Sequence, residues 1–215
     1  MIRIWTPLVL TIAVLATACG SSANANSQLP VIQFVGNSTC PTQNATPYFT
    51  NDAGNPIPPG VNSFPPVGEA INEMPHTHVQ QGAQVTYNHT PPTSGCHYNL
   101  GYGIAPIQAG AYNAVIQPQY WVHNLEHGYV VVLYNCPTGC AQQFTQLRQW
   151  YHGLPPDPAG AVAYAKVIII PYTQMSVPFA ALYWDWYDPI PVFSISEVQR
   201  FYANHVGHAP ESAGP

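Results

Sequence analysis

The stretch WVHNLEHGYVVVLY, residues 121–134, joins two patterns that pull toward different structures. Its second half, Tyr129-Val-Val-Val-Leu-Tyr134, is a continuous β-branched run, the pattern of a central strand buried on both faces. Its first half, His123-Asn-Leu-Glu126-His127, has the H-x-x-E-H spacing of one class of zinc hydrolase. That chemistry needs both histidines one turn apart on a sustained helix, with the glutamate beside them as base. Gly128 and the β run follow at once, and Pro118 with Tyr120-Trp121 upstream favours strand over helix, so the sequence leaves room for one helical turn at most. The hydrolase also needs a glutamate ligand from a second helix, and the later helix at 194–206 offers Glu197 with nothing to tie it to this site. The expectation is a bent loop that carries His123 and His127 to a metal, with Glu126 as ligand, as hydrogen-bonding partner of a ligand, or as general base.

Around this stretch the chain reads as elements of both kinds. Gln84 to Asn88 alternates and predicts a short strand. Cys140 to Tyr151 predicts a helix with Phe144, Leu147 and Tyr151 on one stripe and Gly153 as its stop. Val167-Ile-Ile-Ile170 and Ala180-Ala-Leu-Tyr-Trp184 predict two more strands. Ser194-Ile-Ser-Glu197 is a capping box that starts a last helix, with Val198, Phe201, Tyr202 and His205 on its apolar stripe. This order predicts an α+β fold: a single domain over 67–215, one mainly antiparallel sheet covered by two helices, with long Pro-rich loops.

Histidine is the chemical signal. There are nine, and His76, His78, His89, His97, His123 and His127 fall within 52 residues. Neutral imidazole binds zinc, copper, iron and nickel. In an extended Met74-Pro-His76-Thr-His78, the two histidines project to one face. The segment Tyr87-Asn-His-Thr-Pro-Pro-Thr-Ser-Gly-Cys-His-Tyr98 reads as a rigid loop, its two prolines and glycine excluding a regular element. Ser94 as a nucleophile would need His97 or His127 as base, and the Gly-x-Ser-x-Gly context is absent.

Residues 1–18 read as a secretory signal peptide: Arg3, an apolar core, then small residues before Cys19. Ala16-Thr-Ala-Cys19 fits a bacterial lipobox, which places a lipid on Cys19 and a low-complexity tether and extended arm over 19–66. The expectation is an exported bacterial chain held on the outer face of the cytoplasmic membrane or at the cell surface, its membrane partner reached through the lipid. Four cysteines remain. In an oxidising compartment they predict two disulfides, with Cys136 and Cys140 close enough for a small staple and Cys40 left for Cys96. The rival use of Cys136 and Cys140 as metal thiolates lacks a second cysteine pair.

Only 6% of residues are charged and four are basic, against about 25% charged in ordinary domains. No basic patch exists to neutralise phosphates, which excludes nucleic acid as a partner. So uncharged a surface suits an acidic exterior, where histidine ligands compete with protons.

The motifs at 87–98 and 123–134 together resemble a bacterial family catalogued as domain of unknown function 3105. Its members are similar in carrying an upstream histidine segment, a Pro-Pro-Thr-Ser-Gly-Pro-His loop, a His-Asn-Leu-Glu-His-Gly-Gly segment and a closing helix near a Pro-Glu, here Pro210-Glu211. Two positions depart from the pattern: Cys96 stands for a proline, implying an added disulfide, and Tyr129 for a glycine. The resemblance implies a secreted or membrane-tethered domain and no established activity. It marks His76, His78, His97, His123, Glu126 and His127 as motif positions.

Two functions compete. The first is an extracytoplasmic protein that binds copper or zinc through His76, His78, His123 and His127, with His97 or Glu126 nearby and Met74 as a soft donor favouring copper. The second is a non-catalytic envelope module whose histidines are hydrogen-bonding core residues. Ring nitrogens converging on one point mark the first; rings aimed at separate carbonyls mark the second.

Overall fold

The computed structural model describes Cys40, residues 49–50 and 56–57, and residues 60–215. The expected signal peptide, Cys19 and most of the expected tether lie outside these. Short strands β1 (Phe49–Thr50), β2 (Pro56–Ile57), β3 (Glu69–Ala70), β4 (His78–Val79), β5 (His97–Tyr98) and β6 (Gly110–Ala111) precede helix α1 (Pro118–Glu126). Then come β7 (Val130–Tyr134), α2 (Ala141–His152), β8 (Val167–Pro171), β9 (Phe179–Tyr183), β10 (Trp186–Ile190) and α3 (Ile195–His205). No helix among the described residues is long and apolar enough to cross a membrane.

One six-stranded sheet runs β3-β10-β9-β7-β8-β6. The Val130–Leu133 run is fully buried at its centre, Val131 facing Ile168 on one neighbour and Leu182 on the other. The sheet is mixed, not mainly antiparallel: β7 pairs parallel with β8, and β8 with β6, whereas β9 and β10 pair antiparallel with their neighbours and β3 with β10. The cause is the link between β7 and β8. It carries the whole of α2, and a connection that long returns the chain in the same direction.

Among the described residues three helices, not two, accompany the sheet, and the added one falls where the sequence favours a strand. Pro118 opens α1, and at the first helical position its missing N–H leaves nothing unsatisfied. Gly128 does not cut the helix short; it closes it. With φ of +87° it sends its N–H to the Leu125 carbonyl, and the Tyr129 N–H reaches the Asn124 carbonyl. These are the two hydrogen bonds of a Schellman motif, in which glycine accepts the left-handed conformation at no steric cost. Trp121 is fully buried and donates its indole N–H to the Ile116 carbonyl, so its β preference yields to packing.

Two further expectations are corrected. Residues 84–88 form no strand, and Trp186–Ile190, which the sequence reading passed over, forms β10. The last helix behaves as its capping box predicts. Ser194 Oγ accepts the Glu197 N–H, and Val198, Phe201, Tyr202 and His205 are all buried. The arm at 60–67 is strapped to the end of α3: Asn204 Oδ1 accepts the Val67 N–H, and His205 Nε2 donates to the Val67 carbonyl at 2.7 Å. Disulfides join Cys40 to Cys96 and Cys136 to Cys140.

Candidate metal centre

Three separate pieces of chain build the site. Strands β4 and β5 pair in parallel, and their register sets His78 beside His97. Helix α1 packs on β5 and carries His123, Glu126 and, at its C-cap, His127. Residues three apart on a helix share one face, so His123 and Glu126 both turn toward the strand pair. The anchor is Asn124, fully buried, whose amide exchanges both hydrogen bonds with the Ile107 backbone, at 2.9 and 2.8 Å.

The ring contacts are close. The His97 and His123 centroids lie 4.7 Å apart, and His78 lies 5.0 Å from His97 and 5.1 Å from His123. One donor atom each from His78, His97, His123 and Glu126 falls within 4.8 Å of all the others. A tetrahedral zinc with bonds of ~2.0–2.2 Å holds its donors about 3.4 Å apart. The set therefore closes on an ion by side-chain shifts of about an ångström.

Which nitrogens face inward is fixed by the backbone. His97 Nδ1 donates to the Gly95 carbonyl and His123 Nδ1 to the Tyr98 carbonyl, both at 2.8 Å. A carbonyl only accepts, so each Nδ1 carries the proton and each Nε2 of the neutral ring is a lone pair. This orientation by a backbone acceptor is the usual support of metal-binding histidine. The two marks set against each other in the sequence reading are thus met by the same rings, one on each nitrogen.

The fit to a cation shows in what the cluster lacks. His97 Nε2 and Glu126 Oε2 face one another at 3.0 Å, buried, and neither has a hydrogen-bond partner. A lone pair opposite a carboxylate oxygen is repulsive unless a proton or a metal cation lies between them. His78 Nε2 stands 3.9 Å from the same oxygen. The other carboxylate oxygen is held by His76, whose Nδ1 donates to Oε1 at 2.6 Å. His76 is thus the residue that aims Glu126, itself propped edge-on against the buried indole of Trp184.

The protonation states match a ligand set. Burial pushes the Glu126 carboxyl up, but the neighbouring His97 and His76 rings outweigh it and hold the group down at about 2. Burial, then the adjacent His97 and His127, lowers the His123 imidazole to about 3. His78 is lowered too, by burial first and then by His97. Glu126 is therefore ionised, and His123 neutral, well into the acid range.

The remaining sequence candidates fall elsewhere. His127 stands outside the four-residue group; its Nε2 lies 3.4 Å from Glu211 Oε2, and Glu126, His127 and Glu211 form a second close group. Met74 Sδ accepts the Asn88 N–H at 3.1 Å. Ser94 is buried with its Oγ accepting the Met74 N–H, and both His97 nitrogens are directed at Gly95 and Glu126, so His97 does not serve Ser94 as a base. Glu197 pairs with Arg200 on the outer face of α3. Although the H-x-x-E-H segment is helical after all, it does not build the hydrolase pattern: His123 and Glu126 share one group and His127 belongs to another. Sequence reasoning missed Glu211 as a site residue, although the Pro210-Glu211 match pointed to it.

A family model described as a protein of unknown function, DUF3105, matches residues 78–215, more than half of the chain. The chain belongs to this family. The match opens on His78 and takes in every member of both close groups, and in this DUF3105 chain His76 supports the site from outside the matched region. The searches of curated proteins and of solved structures returned no match.

Proposed function

We propose that this chain is an extracytoplasmic, lipid-anchored domain that binds a transition-metal ion, zinc or copper, through His78, His97, His123 and Glu126. The observation that carries the reading is the buried His97 Nε2 facing Glu126 Oε2 at 3.0 Å, each without a hydrogen-bond partner. Three imidazoles and one carboxylate suit zinc or copper(II) by donor type. The case for reduced copper weakens, because the Met74 sulfur that favoured it is engaged by Asn88. His78, with a side chain 45% exposed, is the solvent-facing member, so an ion here is reachable from outside for loading or exchange.

The lipid anchor and export rest on residues 1–19 alone. They support a domain displayed outside the cytoplasm, where free metal ions are met directly. The chain's own part in any chemistry is to bind: His97 and His123 present preset lone pairs, Glu126 supplies charge, and His76 fixes the carboxylate. A bound ion would supply Lewis acidity or, as copper, an electron.

The test is elemental analysis of the domain purified without chelator or affinity histidines, beside His97→Ala and His123→Ala variants. Stoichiometric zinc or copper in the parent, lost in both variants, is expected. A folded parent that holds no metal and takes up neither ion on addition rejects the reading and leaves the histidines as architecture of an envelope module.

A further inference from the structure

We infer that the centre has a second cation position, formed by His127 and Glu211 and sharing Glu126 with the first. The inference rests on the metal-binding reading above and extends it from one ion to two.

The contacts of His127 with Pro215 and Glu211 involve none of the first cluster's rings. His127 Nδ1 donates to the backbone oxygen of Pro215 at 3.0 Å, so its Nε2 is a lone pair in the neutral ring. That lone pair faces Glu211 Oε2 at 3.4 Å, and the His127 side chain is only 9% exposed. This repeats the opposition of imidazole lone pair and carboxylate seen between His97 and Glu126. One donor atom each from Glu126, His127 and Glu211 lies within 4.8 Å of the others, and the His127 ring sits 4.5 Å from His123.

Glu211 is not a loose surface side chain. Its N–H donates to the Glu126 carbonyl at 3.0 Å. One residue on, the Ser212 carbonyl accepts from the buried Lys166 ammonium at 2.7 Å, and the same ammonium donates to His127 and Gly214 carbonyls at 2.9 and 2.7 Å. Lys166 thereby stitches the C-terminal segment to the end of α1, beside the residue whose side chain both groups share.

Charge explains why a second carboxylate belongs there. Two divalent ions around a single carboxylate would repel strongly at low effective dielectric. Glu211 adds the second negative charge, and at 54% side-chain exposure it does so without a large desolvation cost. The outer ion, with fewer protein donors and a solvent-facing carboxylate, binds second and more weakly. Its chemical class is a divalent ion that accepts mixed imidazole and carboxylate donors, zinc first.

The test is zinc titration of the tag-free chain against a competing chromophoric chelator, with Glu211→Ala and Glu211→Gln alongside and thermal melts to confirm folding. Two equivalents in the parent and one in both variants, with the tighter step unchanged, is the expected result. One equivalent in the parent and in both variants overturns the second position and leaves the first intact. Two equivalents persisting in both variants also overturns it, by placing the second ion elsewhere. No zinc in the parent removes both positions together.

Discussion

His97 Nε2 and Glu126 Oε2, both buried, stand 3.0 Å apart, and His97 Nδ1 on the opposite side of the ring donates to the Gly95 carbonyl. Two electron-rich atoms are thereby pressed together by packing from separate elements, β5 and α1. A contact of this kind is favourable only with a cation, a proton or a metal ion, between the two atoms.

That relationship predicts opposite signs for two properties of Glu126→Gln. The amide keeps an oxygen for His76 and gains an N–H that can donate to His97 Nε2, so the metal-free variant should be as stable as the parent or more so, by about 1 kcal/mol. Metal binding should fall by at least tenfold, because a neutral amide replaces an ionised ligand. Melting curves and metal competition on the same samples decide it; a variant less stable yet unchanged in metal affinity would mean that Glu126 is a structural acceptor only.

His76→Ala tests aim as distinct from ligation. His76 touches Glu126 Oε1 at 2.6 Å and lies outside the four-donor group. Losing such a support costs roughly 10–100-fold in metal affinity while leaving the stoichiometry intact. Complete loss of an equivalent in an otherwise folded variant would instead make His76 a ligand.

Asp185 carries a pH prediction. It occupies the tight β9–β10 turn with φ of +62°, and burial, reinforced by Glu73 and only partly offset by Ser94, pushes its carboxyl up to about 8. The unfolded chain ionises this group near 3.8, so the folded state loses stability as pH rises from about 4 to 8 and carries the full penalty above that. Asp185→Asn removes the ionisation and tolerates the left-handed backbone. It should stabilise the protein at pH 8 by about 1–3 kcal/mol, several degrees in Tm, with the gain vanishing near pH 4. His123, lowered to about 3, and His205, lowered by burial to about 4, act in the other direction. They cost stability as pH falls below about 6.5, where the unfolded imidazoles take protons first. Thermal melts of parent and variant across pH 4–8 check both limbs, and a pH-independent gain would refute the ionisation argument.

The disulfides should differ in worth. Cys40–Cys96 spans 56 residues and Cys136–Cys140 only 4. Loop-closure entropy gives roughly 4 kcal/mol for the first and roughly 2 kcal/mol for the second. Cys40→Ser/Cys96→Ser should also weaken metal binding, since Cys96 adjoins His97, whereas Cys136→Ser/Cys140→Ser should leave it unchanged. Equal melting losses in the two pairs would contradict the entropic ranking.

Much of the scaffold was legible locally. The Val130–Tyr134 strand, α2 with its Gly153 stop and the capped α3 follow from runs and caps spanning a few residues, and the two cysteine pairings from count and proximity. Helix α1 was not legible, because the signals misread there have double meanings. A proline starts a helix as readily as it ends one, and a glycine closes a helix through hydrogen bonds that appear only once the turn is formed. The strand Trp186–Ile190 contains Pro189 and pairs through backbone partners that are set by β9, far from any local pattern.

The sequence by itself determined the chemistry on offer: a histidine-rich chain with few charges, Glu126 set between His123 and His127, and strong β runs. Only the tertiary structure decided which of those groups meet. His78 faces His97 through strand register, His123 and Glu126 arrive from a helix that packing, not propensity, stabilises, and His127 is turned toward Glu211. The physical reason is one of range. Residue type and spacing fix what a side chain can donate, but a donor set a few ångströms wide, drawn from segments 19 and 26 residues apart, exists only after long-range contacts have oriented the rings and committed the Nδ1 of His97 and of His123 to a carbonyl.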